Sequence, residues 1–160
     1  MNKYHPGART LRNLRDVHPK LVAAAILAFK YTEQDFCILD DGGVRSREAA
    51  QANADSGVGV ANSLHIIQAD GFGHAVDLVA WENGKPSWQQ SLYPVIHRAM
   101  FRACDELCLP IQNGADWDND GITAERGEWD WPHWQLPRAH KLAAAVDAAK
   151  RRLANAPHSP

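Results

Sequence analysis

The chain has 160 residues, of which 45% are hydrophobic and 22% are charged, and its formal net charge is −2 at pH 7. This length allows one compact domain with a hydrophobic core, and the composition is that of an ordinary globular protein. The charge gives no electrostatic reason to expect a nucleic-acid partner, and no apolar run approaches the length of a membrane span.

The first fifteen residues are polar and basic and lack an apolar centre, so we expect no secretory signal and synthesis in the cytoplasm. Apolar residues at helical spacing predict a helix over 16–30, and a second helix is predicted over 47–54. Short apolar runs predict strands at 35–39, 64–67 and 74–81.

The second half of the chain contains the clearest helix, 91–109, in which apolar residues recur at i, i+3 and i+4 throughout. Three further segments follow it: a short strand at 111–113, a polar loop at 116–127 and an extended stretch at 129–136. Pro132 excludes a helix interior in that stretch. The last helix, about 138–154, has several basic residues that could contact anionic lipid, although packing on the domain with a solvated face is the favoured interpretation.

Helices and strands are interspersed without regular βαβ alternation, so we predict an α+β fold with a small antiparallel sheet flanked by helices. No linker or repeat divides the chain. We therefore expect a single domain over residues 1–160, with a core at about 11–137 and a C-terminal helix at about 138–154.

Three segments supply residue types that occur in catalytic zinc sites. They contain the histidines His65 and His133 and the carboxylate Asp77, and Asp130 lies three residues before the last histidine. A catalytic zinc ion uses three protein ligands, keeps a fourth position for water, and works with a base that takes the proton of that water. Each residue alone more often has a structural role, so the prediction depends on their joint occurrence.

Asp77 is a carboxylate within the apolar run 75–80. Burying a charge without a partner is costly, so a metal ion, an arginine or an open strand end must compensate for it. Gly73 and Ala75 alternate with Asp77 on one strand face, and their small side chains would leave room beside a metal ion.

Together these segments form the pattern Ser-x-His, Gly-x-Ala-x-Asp and Asp-x-x-His. The pattern resembles that of zinc peptidases that cut bacterial cell-wall peptides: the D-alanyl-D-alanine carboxypeptidases, the Van-type dipeptidases and the phage L-alanyl-D-glutamate endopeptidases. The resemblance is strongest to the phage endolysins and covers about residues 11–136. It depends on the segments 44–46, 62–65, 70–78 and 129–136, and it implies the fold of the hedgehog and D-Ala-D-Ala-peptidase proteins.

The resemblance implies that His65, Asp77 and His133 bind zinc, that Asp130 is the general base, and that Arg45 binds substrate or polarises its carbonyl group. Glu128 is a rival for the base, because an extended backbone would place it on the same face as Asp130.

The seven residues 66–72 separate the first histidine from the glycine of the motif, where the shorter family pattern has two. The longer segment contains Asp70, a second candidate for the carboxylate ligand. The intact Gly73-x-Ala75-x-Asp77 spacing favours Asp77.

The polar loop contains a candidate calcium site. Asp116, Asp118 and Asp120 alternate and are followed by Gly121, as in the first half of an EF-hand loop. The twelfth position, where a bidentate glutamate is expected, is Gly127. A solvated acidic turn is the favoured interpretation, and Ca²⁺ is a candidate cofactor beside Zn²⁺.

The resemblance implies a zinc endopeptidase that cleaves the L-alanyl-D-glutamate bond of peptidoglycan stem peptides as a phage or prophage endolysin. The expected partner is bacterial peptidoglycan. We expect no nucleic-acid partner, no stable membrane insertion, and a monomer. The expected location is the host cytoplasm, with action in the periplasm or cell wall after holin-type release.

Two alternatives remain open. A D,D-carboxypeptidase acting on D-Ala-D-Ala termini would prefer a free terminal carboxylate and a cationic clamp for it. A non-catalytic, zinc-stabilised cell-wall-binding module would need no base, and the presence of Asp130 and Arg45 argues against it.

Overall fold

The computed structural model describes residues 3–155 and contains five α-helices and six short β-strands in that range. The helices are α1 (Ala8–Asn13), α2 (Pro19–Tyr31), α3 (Arg47–Asp55), α4 (Tyr93–Glu106) and α5 (Leu142–Asn155). The strands are β1 (Phe36–Cys37), β2 (Ala75–Asp77), β3 (Val79–Glu82), β4 (Lys85–Ser87), β5 (Gln112–Gly114) and β6 (Asp130–Gln135). Short 3₁₀ turns, Gln90–Leu92 and Ala139–Lys141, lead into α4 and α5.

The helical part of the core is formed by α2 packed against α4. Proline at the first position of α2 and the His18 side chain, which accepts from the Lys20 N–H, begin that helix. Its buried face is rich in alanine, and α4 contributes larger apolar side chains such as Ile96 and Met100. Small residues on one helix facing large ones on the other let the two helices pack closely.

The strands form two antiparallel sheets of three strands, in the orders β1-β3-β4 and β2-β6-β5. The predicted α+β class and antiparallel pairing are confirmed, while the single predicted sheet is replaced by two. Asn83 and Gly84, both at positive φ, form the turn of the β3–β4 hairpin. Among residues 3–155, no helix has both the length and the apolar character needed to cross a bilayer.

The strand predicted over 74–81 divides at Leu78, and its two halves belong to different sheets. Leu78 is fully buried, and its N–H donates to the Pro132 carbonyl at 2.9 Å. This division places Asp77 at the end of β2, where it pairs with His133 of β6.

The strand predicted over 64–67 is wrong. This segment is a turn in which the Ile66 N–H donates to the Ser63 carbonyl, and only the isolated bridge between Ile67 and Gly73 has strand pairing. Local hydrogen bonds to a serine compete here with a sheet ladder.

The two faces of the β2-β6-β5 sheet differ sharply. Val76 and Trp134, which pair across the strands, are both fully buried in the core. Their neighbours Asp77, His133 and Gln135 point to the opposite face because side chains alternate along a strand. The sheet therefore has an apolar face that packs in the core and a polar face that carries the candidate site.

Two basic residues of α5, Arg151 and Arg152, contact other parts of the domain. Arg152 forms a bidentate pair with Asp105 of α4 at 2.7 and 3.1 Å and lies over the Phe101 ring. Arg151 donates to the Asn119 carbonyl at 2.6 Å. These contacts fit the favoured interpretation of α5 as a helix packed on the domain.

One close backbone approach fixes the segment before α3. A Cβ atom on the buried Gly43 would overlap the Asn13 carbonyl oxygen at the end of α1. The segment that carries Gly43 can therefore lie against α1 only with glycine at this position.

We expect Gly43→Ala to lower the free energy of unfolding by about 1–3 kcal/mol, the usual cost of overpacking. Urea unfolding followed by circular dichroism measures the change. Gly59→Ala is the matched control, because its new methyl group would make an ordinary contact at 3.5 Å with Asn53 Cβ. Equal stability of the two variants would contradict the explanation by close approach.

Candidate metal centre

The structure brings the three proposed zinc ligands together. His65 Nε2 lies 3.2 Å from His133 Nδ1 and 3.2 Å from Asp77 Oδ1, and His133 Nδ1 lies 3.1 Å from the same Asp77 oxygen. The three atoms thus form a nearly equilateral triangle at the polar face of the β2-β6-β5 sheet.

The size of this triangle fits a tetrahedral metal ion. Ligands at about 2.0–2.1 Å from zinc, at tetrahedral angles, are about 3.3–3.4 Å apart. The observed edges are 3.1–3.2 Å. Two imidazoles and one carboxylate are also a common ligand set of catalytic zinc, with one position left for water.

Strand pairing positions two of the three ligands. Asp77 and His133 are direct partners across β2 and β6, so their side chains leave the same face of the sheet side by side. The third ligand, His65, comes from the turn that precedes β2 and is fixed by its own hydrogen bonds. Its N–H donates to Ser63 Oγ at 3.2 Å, and its carbonyl accepts from the Arg45 N–H at 3.1 Å.

The tautomer of His65 follows from one contact. His65 Nδ1 lies 2.6 Å from the Gly43 carbonyl oxygen, which can only accept a hydrogen bond, so Nδ1 carries the proton. In the neutral ring the lone pair is then on Nε2, the atom that faces Asp77 and His133. The Gly43 segment that lies against α1 therefore also orients one of the candidate metal ligands.

Arg45 holds the second oxygen of the Asp77 carboxylate. Its Nη2 lies 2.5 Å from Asp77 Oδ2, and its Nε donates to the Asp41 carbonyl at 2.5 Å. The side chains of Arg45 and Asp77 are 18% and 15% exposed, so the pair is largely shielded from water. With Oδ2 bound to Arg45, Oδ1 is the oxygen directed at the two histidines.

The pKa values in the group reflect this proximity of opposite charges. Burial alone would raise the pKa of Asp77, but the charge of His65 and the hydrogen bonds with both histidines outweigh it and hold that pKa far below its usual range. Burial would lower the pKa of His133, yet the hydrogen bond with Asp77 and the charge of Asp77 raise it. Asp77 is therefore ionised, which is the form that binds metal.

Asp130 begins β6 and stands at the rim of the ligand group. Its Oδ2 lies 4.0 Å from His133 Nδ1, and its side chain is 58% exposed. Desolvation raises the pKa of Asp130, and so does the nearby Asp77 carboxylate, while the charge of His133 lowers it.

Gly114 of β5 pairs with Asp130. A Cβ atom at position 114 would lie 2.7 Å from the Asp130 Cβ, so a glycine is needed opposite this residue.

The two rival acidic residues lie elsewhere. Glu128 is 6% exposed, and its Oε1 accepts from the Trp117 N–H at 2.7 Å, within the polar loop. Asp70 is bonded to His74 Nε2 at 2.8 Å on the surface of the 66–72 segment. The structure thus groups Asp77 rather than Asp70 with the histidines, and it places Asp130 rather than Glu128 beside them.

A cleft opens beside the ligand group. Its walls include Arg45, His65, Asp130 and His133, and also Trp117 and Arg138. Arg138 lies three residues after the end of β6 and donates to the Asn62 carbonyl at 2.6 Å. The sequence interpretation did not assign Arg138 to the site, because it reaches the cleft through the packing of distant segments.

The predicted calcium loop folds as a tight turn around Asp116. The two carboxylate oxygens of Asp116 accept from the backbone N–H groups of Asp120 and Gly121, each at 3.1 Å. Gly121 has φ +93°, the conformation that a sharp turn at the sixth loop position requires.

Glu128 joins this loop, although in sequence it is one position beyond the expected glutamate. Asp116, Asp118 and Glu128 each direct an oxygen into one group whose atoms lie within 4.8 Å of one another. The second carboxylate oxygen of Glu128, Oε2, is buried without a hydrogen-bond partner among the described residues. Desolvation and the neighbouring charges of Glu128, Asp120 and Asp118 raise the pKa of Asp116, so the group is strained by like charges.

Comparisons with known proteins identify the family of the chain. A family model described as phage L-alanyl-D-glutamate peptidase matches residues 2–136. The crystal structure of the Serratia marcescens L-Ala D-Glu endopeptidase ChiX is similar, with a TM-score of 0.69 and 32% identity over 84% of this chain and 91% of that chain. A search of the curated proteins finds no match. The chain belongs to the phage L-alanyl-D-glutamate peptidase family and is an endopeptidase of peptidoglycan.

Proposed function

We propose that this protein is a zinc-dependent endolysin that hydrolyses the L-alanyl-D-glutamate bond of peptidoglycan stem peptides, with residues 1–160 forming one peptidase domain. The observation that carries the proposal is the triangle of ligand atoms from His65, Asp77 and His133, which is open toward a cleft where Asp130 stands. This arrangement would bring a metal ion, a bound substrate and a base together at one place. The proposal includes action at the cell wall after holin-type release from the host cytoplasm.

A zinc ion held by the three ligands would polarise the scissile carbonyl group and lower the pKa of the attacking water toward about 7. Asp130 would accept the proton of that water and return it to the leaving amine. Its exposed carboxylate at the cleft rim suits this exchange, because it can reach both water and substrate. A raised pKa brings it closer to the value at which one group can take and release a proton.

Arg45 would serve two purposes in this scheme. Its bond to Asp77 Oδ2 fixes the ligand carboxylate, and its remaining N–H groups border the cleft. There the guanidinium would stabilise negative charge that develops on the carbonyl oxygen during attack.

We further propose a Ca²⁺ site formed by Asp116, Asp118, Asp120 and Glu128. The supporting observations are the buried, unpartnered Oε2 of Glu128 and the grouping of a Glu128 carboxylate oxygen with oxygens of Asp116 and Asp118. Burial and then the neighbouring carboxylates raise the pKa of Asp116; a cation would offset both effects and would give Glu128 Oε2 a partner.

The metal assignment predicts that His133→Ala does not retain stoichiometric zinc, because two remaining ligands hold the ion too weakly to survive dialysis. Mass-spectrometric metal analysis of the dialysed protein measures this. His140→Ala, which changes an exposed histidine on the turn before α5, is the matched control and should retain zinc. One zinc ion per chain in His133→Ala would contradict the ligand set.

The base assignment predicts that Asp130→Asn keeps its zinc but loses hydrolysis by a factor of about 10²–10⁴, the usual contribution of a positioned general base. The assay digests purified peptidoglycan and identifies products by mass spectrometry. Wild-type protein should generate new N-terminal D-glutamate, and Asp147→Asn on α5 should behave like the wild type. Release of D-alanine alone would indicate a carboxypeptidase. Full activity of the Asp130→Asn variant would show that Asp130 is not the base.

The calcium assignment predicts that zinc-loaded protein binds Ca²⁺ in calorimetry and that Glu128→Gln weakens the affinity by about tenfold or more, because ligand charge sets affinity in such loops. Asp55→Asn removes one exposed charge on α3, outside the loop, and should leave binding unchanged. Equal affinity of Glu128→Gln and wild type would remove Glu128 from the site.

A further inference from the structure

We propose that Gln112 and Gln135 are positioning residues that hold His133 in the one tautomer able to bind metal through Nδ1. The inference rests on the proposed metal site and adds the residues that orient one of its ligands. Neither glutamine belongs to the triangle of ligand atoms.

The requirement comes from the chemistry of imidazole. A neutral histidine has one N–H and one lone pair, so binding a metal through Nδ1 needs the proton on Nε2. His133 directs Nδ1 at Asp77 and His65. Without a metal ion the Asp77 carboxylate accepts a hydrogen bond from Nδ1, so metal binding must displace the Nδ1 proton and keep the one on Nε2. The His133 Nε2 lies 3.1 Å from Gln135 Oε1, and this oxygen must therefore remain the acceptor of the Nε2 proton.

A primary amide by itself does not ensure this. Rotating the Gln135 amide by half a turn would exchange Oε1 with Nε2 and present a donor to His133 Nε2. A donor there would favour the other tautomer, with the proton on Nδ1, where it blocks metal binding. The direction of the Gln135 amide must be imposed by its next neighbour.

That neighbour is Gln112, which lies directly opposite Gln135 across β5 and β6. Gln135 Nε2 donates to Gln112 Oε1 at 3.2 Å, and Gln112 Nε2 donates to the Trp117 carbonyl at 2.9 Å. A backbone carbonyl oxygen can only accept. The Trp117 carbonyl therefore fixes the direction of Gln112, and Gln112 fixes the direction of Gln135.

Burial makes the alignment costly to reverse. Gln112 is 2% exposed, so water does not readily replace a mismatched contact at its side chain, whereas Gln135 is partly buried and also lines the cleft. Two carbonyl oxygens facing each other would lose a hydrogen bond and leave buried polar atoms unpaired. Both ligand histidines are thus oriented by a carbonyl oxygen: His65 directly by that of Gly43, and His133 by that of Trp117 through two amides.

The first test is Gln112→Met, which removes the amide whose direction the Trp117 carbonyl fixes. The Gln135 amide is then free to rotate. We expect zinc affinity, measured by competition with a chelator, to fall by about tenfold or more, the usual loss when a partner of a ligand is removed. Gln34→Met is the control, because the partly buried Gln34 amide donates to backbone carbonyls, as the Gln112 amide does, but belongs to the chain of hydrogen bonds to the Asp35 and Trp81 carbonyls and not to that of His133. The control should keep wild-type zinc affinity.

The second test is rescue by Gln112→Met combined with Gln135→Glu. A carboxylate can only accept, so it holds the proton on His133 Nε2 without help from Gln112. We expect the double variant to return to near wild-type zinc affinity, although the Gln112 site is still altered. A loss through packing alone would persist in the double variant, and that result would overturn the proposal, as would unchanged zinc affinity in Gln112→Met.

A measurement on the wild-type protein needs no variant and remains decisive if Gln112→Met does not fold. Nitrogen-15 NMR of the zinc-loaded protein should show His133 Nε2 protonated and correlated with Gln135 across the hydrogen bond. Zinc binding through Nδ1 by itself requires the proton on Nε2, so the correlation across the hydrogen bond to Gln135 is the deciding signal, and its absence would overturn the proposal. Failure of the wild-type protein to bind zinc would instead refute the proposed function, so the two outcomes are separate.

Discussion

The buried carboxylate of Asp77 is the constraint on which the other features of the site depend. A carboxylate removed from water costs several kcal/mol unless it is paired and hydrogen-bonded. Here one oxygen is held by Arg45 and the other by His65 and His133, from three separate segments of the chain. Removing one partner of such a shielded charge typically lowers the free energy of unfolding by about 3–5 kcal/mol. The negative charge of Asp77 therefore holds these segments together, and the same charge would attract a cation to the site.

Several local features of the fold bring these partners within reach. The change of sheet at Leu78 ends β2 at Asp77, and the glycine at 43 lets the segment that orients His65 lie against α1. Gly114 leaves space for Asp130 at the start of β6. The two glycines mark backbone approaches that a side chain would block, and all three features are near a residue of the proposed chemistry. The packed face of the same sheet, with Val76 and Trp134, anchors these positions in the core.

The sequence predicted what depends on local periodicity and on motif spacing. Helical spacing located α2, α3 and α4, and the Gly73-x-Ala75-x-Asp77 spacing identified the carboxylate that the structure places with the histidines. The turn around His65 was predicted as a strand. An apolar stretch does not reveal that the His65 N–H donates to the Ser63 side chain and that the His65 carbonyl accepts from the Arg45 N–H. The role of Gln112 depends on its register opposite Gln135, and that of Trp117 on the position of the polar loop beside β5, neither of which a local pattern encodes. Gln135 could have been found, since it is two residues beyond His133 and shares its strand face.

The polar loop and the metal centre are physically continuous. The Trp117 N–H donates to Glu128 Oε1, the Trp117 carbonyl accepts from Gln112, and the Trp117 ring lies 5.4 Å from the His133 ring. A cation bound by the loop would use the free Oε2 of Glu128 and would leave its bond to Trp117 intact. It would then hold Trp117 more firmly, and through the two glutamines it would restrict His133. This coupling between the loop and His133 needs no large movement, because it runs through single hydrogen bonds. The direction of each hydrogen bond sets the direction of the next one.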